Sequence, residues 1–507
     1  MEYISTRGGD YRYSAAQAIK QGIAPDGGLF VPARIPRLTE QEIDRLIDMN
    51  YPQRATLVLS KYLTDFSEEE LLEYCEKAYS EEKFDAFPAR LAQLNPYVDG
   101  EYMLELWHGP TSAFKDMALQ ILPYLMTAAA AKIGESAEIC ILAATSGDTG
   151  KAALEGFKDV SGTRVIVFFP ENGVSEVQRL QMVTTTGENC HVIAVKGSFD
   201  DAQAGVKRLF ADEELAAELL AENVVLSSAN SINWGRLAPQ IAYYWSVYAD
   251  LLKDGKIAGG DSFNVVVPTG NYGNILAAWY AKQMGLPVGK LVCASNRNKI
   301  LSDFLRSGTY DRNREFYQTN SPSMDILVSS NLERLLFELT DHDSERISSW
   351  MEELQEKGIY SIDAETRKAI QTLFVGGFCD DYGTIKVIRD VYDQYDHVID
   401  THTAVGFNVY GRYAHRSHDR RPVVFVSTAS PFKFPIAVSE GIFGAKEIAG
   451  LSERELMDRL SVESGMSIPV GLDRLDEKVV LHDRVIDKEE MKEAVLDVIK
   501  GDRRLGN

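Results

Sequence analysis

Apolar and polar positions change their rhythm along this chain, and the change divides it. The first ninety or so residues read as helical with polar turns. Within them Ser67-Glu68-Glu69-Glu70-Leu71-Leu72 marks a capped helix start, a serine followed three residues later by a glutamate ahead of apolar positions. From about Ala137 short apolar runs alternate with helix-like segments: Glu138 to Ala144, Arg164 to Phe169, His191 to Val195, Val224 to Ser228 and Phe263 to Val267. Strands apolar throughout and separated by helices predict a parallel sheet covered on its faces. Val423 to Val426 is a further buried strand that runs into Ser427-Thr428, and Ser323 to Leu336 is a mixed segment ahead of a charged helical stretch. After about residue 440 the chain is again charged and helix-like, with a break from Gly465 to Asp473. The expected organisation is a helical part over 1–90, a core of interleaved α/β units over 91–440, and a helical segment over 441–507 packed on that core.

Composition narrows what such a fold can do. A length of 507 residues exceeds one ordinary core and leaves room for a substantial buried site. The formal charge of −22 repels nucleic acid and anionic membranes. The basic run from Arg412 to Arg421, with His415 and His418, reads as a solvated loop rather than a phosphate-backbone groove. Five scattered cysteines form no CxxC pair and no zinc spacing, which fits reduced thiols and no metal. No apolar stretch approaches the roughly 20 residues that span a bilayer, and the first residues lack a signal-peptide core, so a cytoplasmic protein acting on a small molecule is expected.

The candidate chemistry sits where strands give way to helices. Lys115, in Trp107-His108-Gly109-Pro110-Thr111-Ser112-Ala113-Phe114-Lys115-Asp116, precedes an apolar run, Met117 to Ala131, that reads as a helix. The positive end of a helix dipole and apolar neighbours both favour the neutral amine that a Schiff-base lysine requires, although on position alone a lysine that snorkels to the surface is the plainer reading. Thr145-Ser146-Gly147-Asp148-Thr149-Gly150-Lys151 follows the first good strand and forms an anion cradle or an ordinary glycine turn. A nucleotide P-loop would need glycine at Thr145 and Ser or Thr at Ala152, so that reading fails. Val265 to Asn274 repeats the arrangement with Gly270-Asn271-Tyr272-Gly273-Asn274 ahead of an apolar helix. Its two glycines make it the better phosphate site, and the lack of GxGxxG favours a monophosphate over a dinucleotide. Between them Ser228 to Arg236 brings Asn230, Asn233 and Arg236 to another strand–helix junction, where Arg236 suits a second anion and Asn230 or Ser231 suits a helix cap. Open α/β sheets collect their ligands at this edge.

In that order GPTSAFKD, TSGDTG, NSINW and PTGNYGN resemble the signature series of the threonine synthase family. STRGG (Ser5 to Gly9), APDGGLFVP (Ala24 to Pro32) and SPSMDILVSSNLERLLF (Ser321 to Phe337) are similar to it as well, so the resemblance covers about residues 1 to 440. It implies a tryptophan-synthase-β-like fold of type II, two interleaved open-sheet α/β domains with an added helical N-terminal domain, and pyridoxal 5'-phosphate on Lys115. Gly270, Asn271, Tyr272, Gly273 and Asn274 would surround the cofactor phosphate, and Thr428 would meet the pyridine nitrogen. Ser146, Gly147, Asp148 and Thr149 would hold the amino-acid end of the substrate, and Arg236 with Asn233 and Lys151 its phosphate. The family commonly reads STAHPAKF where this chain has Ser427-Thr428-Ala429-Ser430-Pro431-Phe432-Lys433-Phe434; Thr428 and Lys433 are kept and a histidine is missing. The implied reaction converts O-phospho-L-homoserine and water to L-threonine and phosphate, by a monomer or homodimer, with Lys115 as general base. A phospho-lyase of the same fold giving 2-oxobutyrate, or a serine/threonine dehydratase, are the alternatives; a catalytically silent relative would have lost the lysine or the cradle glycines, which are present.

Overall fold

The computed structural model describes residues 1–9, 12–84, 88–95, 100–145 and 147–504. Two sheets carry the core. The larger has six strands in the order Phe374–Phe378, Val288–Ser295, Phe263–Pro268, Val423–Ser427, Glu101–Glu105 and Arg90–Gln93, all parallel except the last pair. The smaller has five parallel strands in the order Val485–Asp487, Cys190–Lys196, Thr163–Pro170, Glu138–Ala144 and Val224–Ser227. In the chain, the strands from 138 to 227 come between two strands of the larger sheet, Glu101–Glu105 and Phe263–Pro268, so the two α/β units are interleaved as expected.

Each strand expected from the apolar runs is present within a residue or two, because a strand buried on both faces must be apolar throughout. Four strands of the larger sheet escape that signal, the antiparallel edge strand Arg90–Gln93 among them. Phe374–Phe378 reads FVGGF, and its glycines answer to close packing: a Cβ on Gly377 would lie 2.5 Å from Val409, and one on Gly376 would lie 3.1 Å from the Ser302 backbone. Glu101–Glu105 carries a glutamate at each end, and Val288–Ser295 contains Gly289 and Lys290.

Two further departures concern the ends of the chain. The first part is helical, with Ser67 capping Glu68–Ala78 in a reciprocal capping box, yet it also forms a two-stranded antiparallel sheet from Tyr3–Ser5 and Phe30–Pro32. The segment after 441 carries two helices, Glu453–Ser464 and Met491–Arg504, separated by a mostly irregular stretch and by Val485–Asp487, which adds an edge strand to the smaller sheet beside Ala194–Lys196. Three residues are too few to show a strand period in sequence. The same segment reaches the Lys115 loop, because a Cβ on Gly471 would lie 2.2 Å from the Pro110 carbonyl oxygen.

The N-terminal part is tied to the core by buried charge. Arg7 makes a two-pronged pair with Glu333 at 3.0 and 2.9 Å, and Thr6 donates to the same carboxylate at 2.6 Å. Arg334, fully buried, donates Nε to Phe30 O at 2.9 Å, and its two amino groups to Asn331 Oδ1 and Ile232 O. One side chain thus joins the N-terminal sheet to the segment preceding Arg236 and to the residue that holds Asn271.

The apolar run after Lys115 is two helices, Asp116–Leu119 and Leu122–Lys132, because Pro123 opens the second. The first of them meets helix Asp148–Phe157 of the smaller unit at Gly156, where a Cβ would sit 2.1 Å from Leu119 O. Backbone cannot retreat as a flexible side chain can. Gly156→Ala is therefore expected to cost about 1–3 kcal/mol, read as a lower denaturant midpoint at unchanged slope.

Candidate active site

The Lys115 loop is built by the end of strand Glu101–Glu105 and stitched to the segment that follows strand Val423–Ser427. Phe114 N donates to Thr428 O at 2.8 Å, Ser430 N donates to Ser112 O at 3.0 Å, and Ala113 bridges Ala429. Ser112 accepts a positive φ of 57° to make the turn. These backbone bonds bring buried Thr428 beside the lysine loop although it lies 313 residues beyond Lys115 in sequence. Asp116 closes the turn by accepting from Thr111 N at 2.8 Å and from the Thr111 hydroxyl at 2.9 Å. Burial raises its carboxyl to about 7 against those bonds and the charge of Lys433.

Lys115 occupies the cap position of helix Asp116–Leu119, and its Nζ lies 3.4 Å from Asp148 Oδ2. Burial lowers the ammonium's pKa, and the positive charges of Lys433 and Arg236 lower it further, while Asp148 acts in the opposite sense. Burial is the largest of these causes, and it acts in the direction expected of an amine that must give up its proton.

Asp148 is the hub of the surrounding contacts. It opens helix Asp148–Phe157 just after Gly147, whose φ of 147° and ψ of −100° leave no room for another residue: a Cβ would lie 2.4 Å from the Gln178 amide. Gln178 Nε2 reaches Asp148 Oδ1 at 3.3 Å, Ser323 Oγ donates to Oδ2 at 3.0 Å, and Lys433 Nζ pairs with Oδ1 at 2.8 Å. Burial alone would raise this carboxyl, but Lys433 and Lys115 together hold it well below the usual carboxylate range. Thr149 is half-buried next to it, and Ser146 lies outside the described residues.

A second layer stands behind Ser323. Its N–H donates to His402 Nε2 at 3.1 Å, so the ring proton faces Asp400 from Nδ1 at 2.9 Å. Thr403 donates to the other oxygen of Asp400 and lies 3.1 Å from Ser427 Oγ, which accepts from Trp107 Nε1 at 3.0 Å. Ser323, His402, Asp400, Gln178 and the contacts of Lys433 were not selected from sequence. The SPSMD and STASPFKF segments stand out in sequence as a mixed segment and a strand end and by their likeness to a family, none of which points to these contacts.

The Gly270 to Asn274 turn forms the other cradle. Tyr272 adopts the left-handed conformation at φ 64° where helix Gly273–Gln283 begins, so the free N–H groups of the first turn follow a sharp bend. A Cβ on Gly270 would lie 2.7 Å from Ser323 O, whereas one on Gly273 would meet Asn331 Nδ2 at only 3.4 Å. Ser329 Oγ donates to Gly270 O at 2.8 Å and Asn331 holds the carbonyl of exposed Asn271. Asn274 accepts from the Tyr243 and Tyr244 hydroxyls and leaves its buried Nδ2 without a partner.

The residues read as substrate-phosphate ligands divide. Arg236 is fully buried in helix Trp234–Lys253, donates to Ala229 O and leaves Nε without a partner. Burial by itself lowers its guanidinium to about 10. Asn233 has both ends of its carboxamide engaged elsewhere: Oδ1 caps the helix through Gly235 N and Nδ2 donates to Ile19 O, each at 2.8 Å. The cap is therefore Asn233, not Asn230 or Ser231. Lys151 is turned to Glu155 and, at 2.8 Å, to the Thr185 hydroxyl. Its position three residues past Asp148 puts it one turn along the helix.

Among the described residues no group of His, Cys, Asp and Glu could hold a metal ion, and no helix is long and apolar enough to cross a membrane. All five cysteines are buried and free. Residues 2–79 match the family described as threonine synthase N terminus, residues 89–429 the pyridoxal-phosphate dependent enzymes, and residues 403–463 the threonine synthase C-terminal family. Threonine synthase of Pseudomonas aeruginosa is 39% identical over 461 residues, covering 90% of this chain and 94% of its own. Human threonine synthase-like 1 is 40% identical over 452 residues, but this chain spans only 59% of its length while 87% of this chain is aligned. The crystal structure of pyridoxal-phosphate-bound threonine synthase from Brucella melitensis superposes with a TM-score of 0.86 at 34% identity, covering 99% of this chain and all of that one. Matches of this extent, over a fold that places Lys115, Asp148 and the Gly270 turn at facing strand ends, carry the conclusion that the chain belongs to the threonine synthase family.

Proposed function

We propose that this chain is a threonine synthase that uses pyridoxal 5'-phosphate on Lys115 to convert O-phospho-L-homoserine and water to L-threonine and phosphate. Arg236 carries the reading: it is a buried guanidinium with an unpartnered Nε and no carboxylate among its hydrogen-bond partners, and its charge is felt at Lys115. A buried cation in that condition is stabilised by an anionic ligand. A dehydratase, whose substrate carries no phosphate, would have no use for it.

The residues also fit the cofactor. Gly270 admits no Cβ beneath Ser323, and the turn it opens offers the unpaired N–H groups of a helix start to a phosphate. Thr428, held beside the Lys115 loop, offers a hydroxyl, which does not enforce protonation of a pyridine nitrogen as a carboxylate would. When bound, the cofactor supplies an electron sink for carbanion chemistry. Lys115, inclined to the neutral amine by burial, takes the α-proton as general base and later returns it. Arg236 holds the substrate phosphate and stabilises the negative charge that grows on the leaving group. Thr149, with Gly147 and Ser146, orients the amino-acid end. Asp148 stays ionised and acts on Lys115. The two sheets exclude water from the cleft between their strand ends until phosphate has left. Five buried free thiols agree with a reducing, cytoplasmic setting.

Lys115→Ala is expected to give a protein that lacks the yellow cofactor absorbance and the borohydride-stable adduct; retained turnover with a normal spectrum would end the assignment. Arg236→Ala should lose about 10²-fold or more in kcat/KM for phosphohomoserine and far less for an unphosphorylated analogue. The product assay is part of that measurement: threonine supports the reading, and 2-oxobutyrate alone contradicts it. Gly270→Ala should weaken pyridoxal phosphate binding at least about tenfold by absorbance titration, because the added methyl collides with backbone. Gly273→Ala, with only a side-chain amide nearby, should weaken it less.

A further inference from the structure

Lys433 lies on the turn Pro431–Lys433 that follows the Thr428 strand, and its side chain has no solvent exposure. Its ammonium has three donors and meets three acceptors: Thr111 O at 2.8 Å, Gln181 Oε1 at 3.2 Å and Asp148 Oδ1 at 2.8 Å. Thr111 belongs to the Lys115 loop of the larger unit. Asp148 and Gln181 stand on helices Asp148–Phe157 and Glu176–Val183 of the smaller one. The lysine is thus a buried ionic tie across the cleft, and it takes one oxygen of the carboxylate whose other oxygen faces Lys115.

We propose that Lys433 is a positioning residue that pins Asp148 across the two units, fixing one carboxylate oxygen on Lys115 and withholding the other from it. Two ammonium groups share one carboxylate, so Lys115 is held in place without being fully neutralised. The other groups in reach act consistently. Arg236 faces Lys115 from helix Trp234–Lys253 and adds positive charge, and His402, neutral while its Nε2 accepts from Ser323, reaches Asp148 through that serine. Gln178 and Ser323 donate to Asp148 without charge, and Asp116 feels Lys433 from the Lys115 loop itself. A lysine that only braced the fold would leave the titration of Lys115 alone. Here, removing Lys433 takes away a repelling charge and releases the shared oxygen to Lys115, and both changes favour its charged form.

The inference rests on Lys115 being the cofactor lysine. Its test reads Lys115 directly in the full-length chain freed of cofactor, so it fails or succeeds apart from that assignment, which the borohydride adduct decides. Competitive acetylation by acetic anhydride, quantified at the Lys115 peptide across pH, gives the midpoint at which the neutral amine appears. Lys433→Met should raise that midpoint by about one unit, and Lys433→Arg, which keeps the charge, should restore most of the difference. Asp148→Asn should move it the other way by a similar amount. An unchanged midpoint in Lys433→Met overturns the proposal. If that variant does not fold, an unchanged or raised midpoint in Asp148→Asn overturns it instead, and a lowered one supports it.

Discussion

Lys115, Lys433 and Arg236 bring three positive charges into a region nearly closed to water, and Asp148 is the carboxylate that touches two of them. Burying charge is costly unless each group finds partners, and a lone ion pair seldom repays the loss of water. Asp148 meets the condition by accepting from two ammonium groups, a serine and a glutamine at once. Arg236 meets it only in part, since its Nε has no partner. The cleft thus holds more buried positive charge than the one carboxylate between Lys115 and Lys433 offsets, which is the ground for the phosphate site proposed above.

Much of the remaining architecture holds that arrangement from outside. Ser323 touches Asp148 through its hydroxyl, roofs Gly270 with its carbonyl and is steadied through its N–H by the His402–Asp400 pair. Arg334 does comparable work on the other flank, joining the N-terminal sheet to Ile232 and Asn331. The N-terminal part is therefore no appendage. It grips the same loops that present Arg236 and the Gly270 turn.

What could be read from the sequence follows from which signals are local. A strand buried on both faces is an apolar run, and a strand–turn–helix junction shows itself in Gly, Ser, Thr and Asn, so Lys115, Asp148, the Gly270 turn and Arg236 were all legible. Asn233 and Lys151 lie in those motifs too, but their partners in the fold are not written there: one amide caps its helix and one lysine meets a glutamate a turn away. Lys433, Ser323 and His402 acquire meaning only through partners that lie far off in the chain; Ser323 is 175 residues from Asp148. No period or motif encodes such a meeting. Phe374–Phe378 was hidden for the opposite reason, since the glycines that let helices approach it also erase its strand signature.

The late edge strand has a consequence for how the chain comes to be made. Lys196 and Asp487 flank the pairing and stand 291 residues apart, so Cys190–Lys196 emerges from the ribosome long before its neighbour exists. At ordinary rates of synthesis the interval is on the order of 15–60 s. A β edge left unpaired for such an interval is the kind of surface on which nascent chains pair with one another. Val485–Asp487 is in this sense the chain's own seal, and it is among the last parts of the chain to be made.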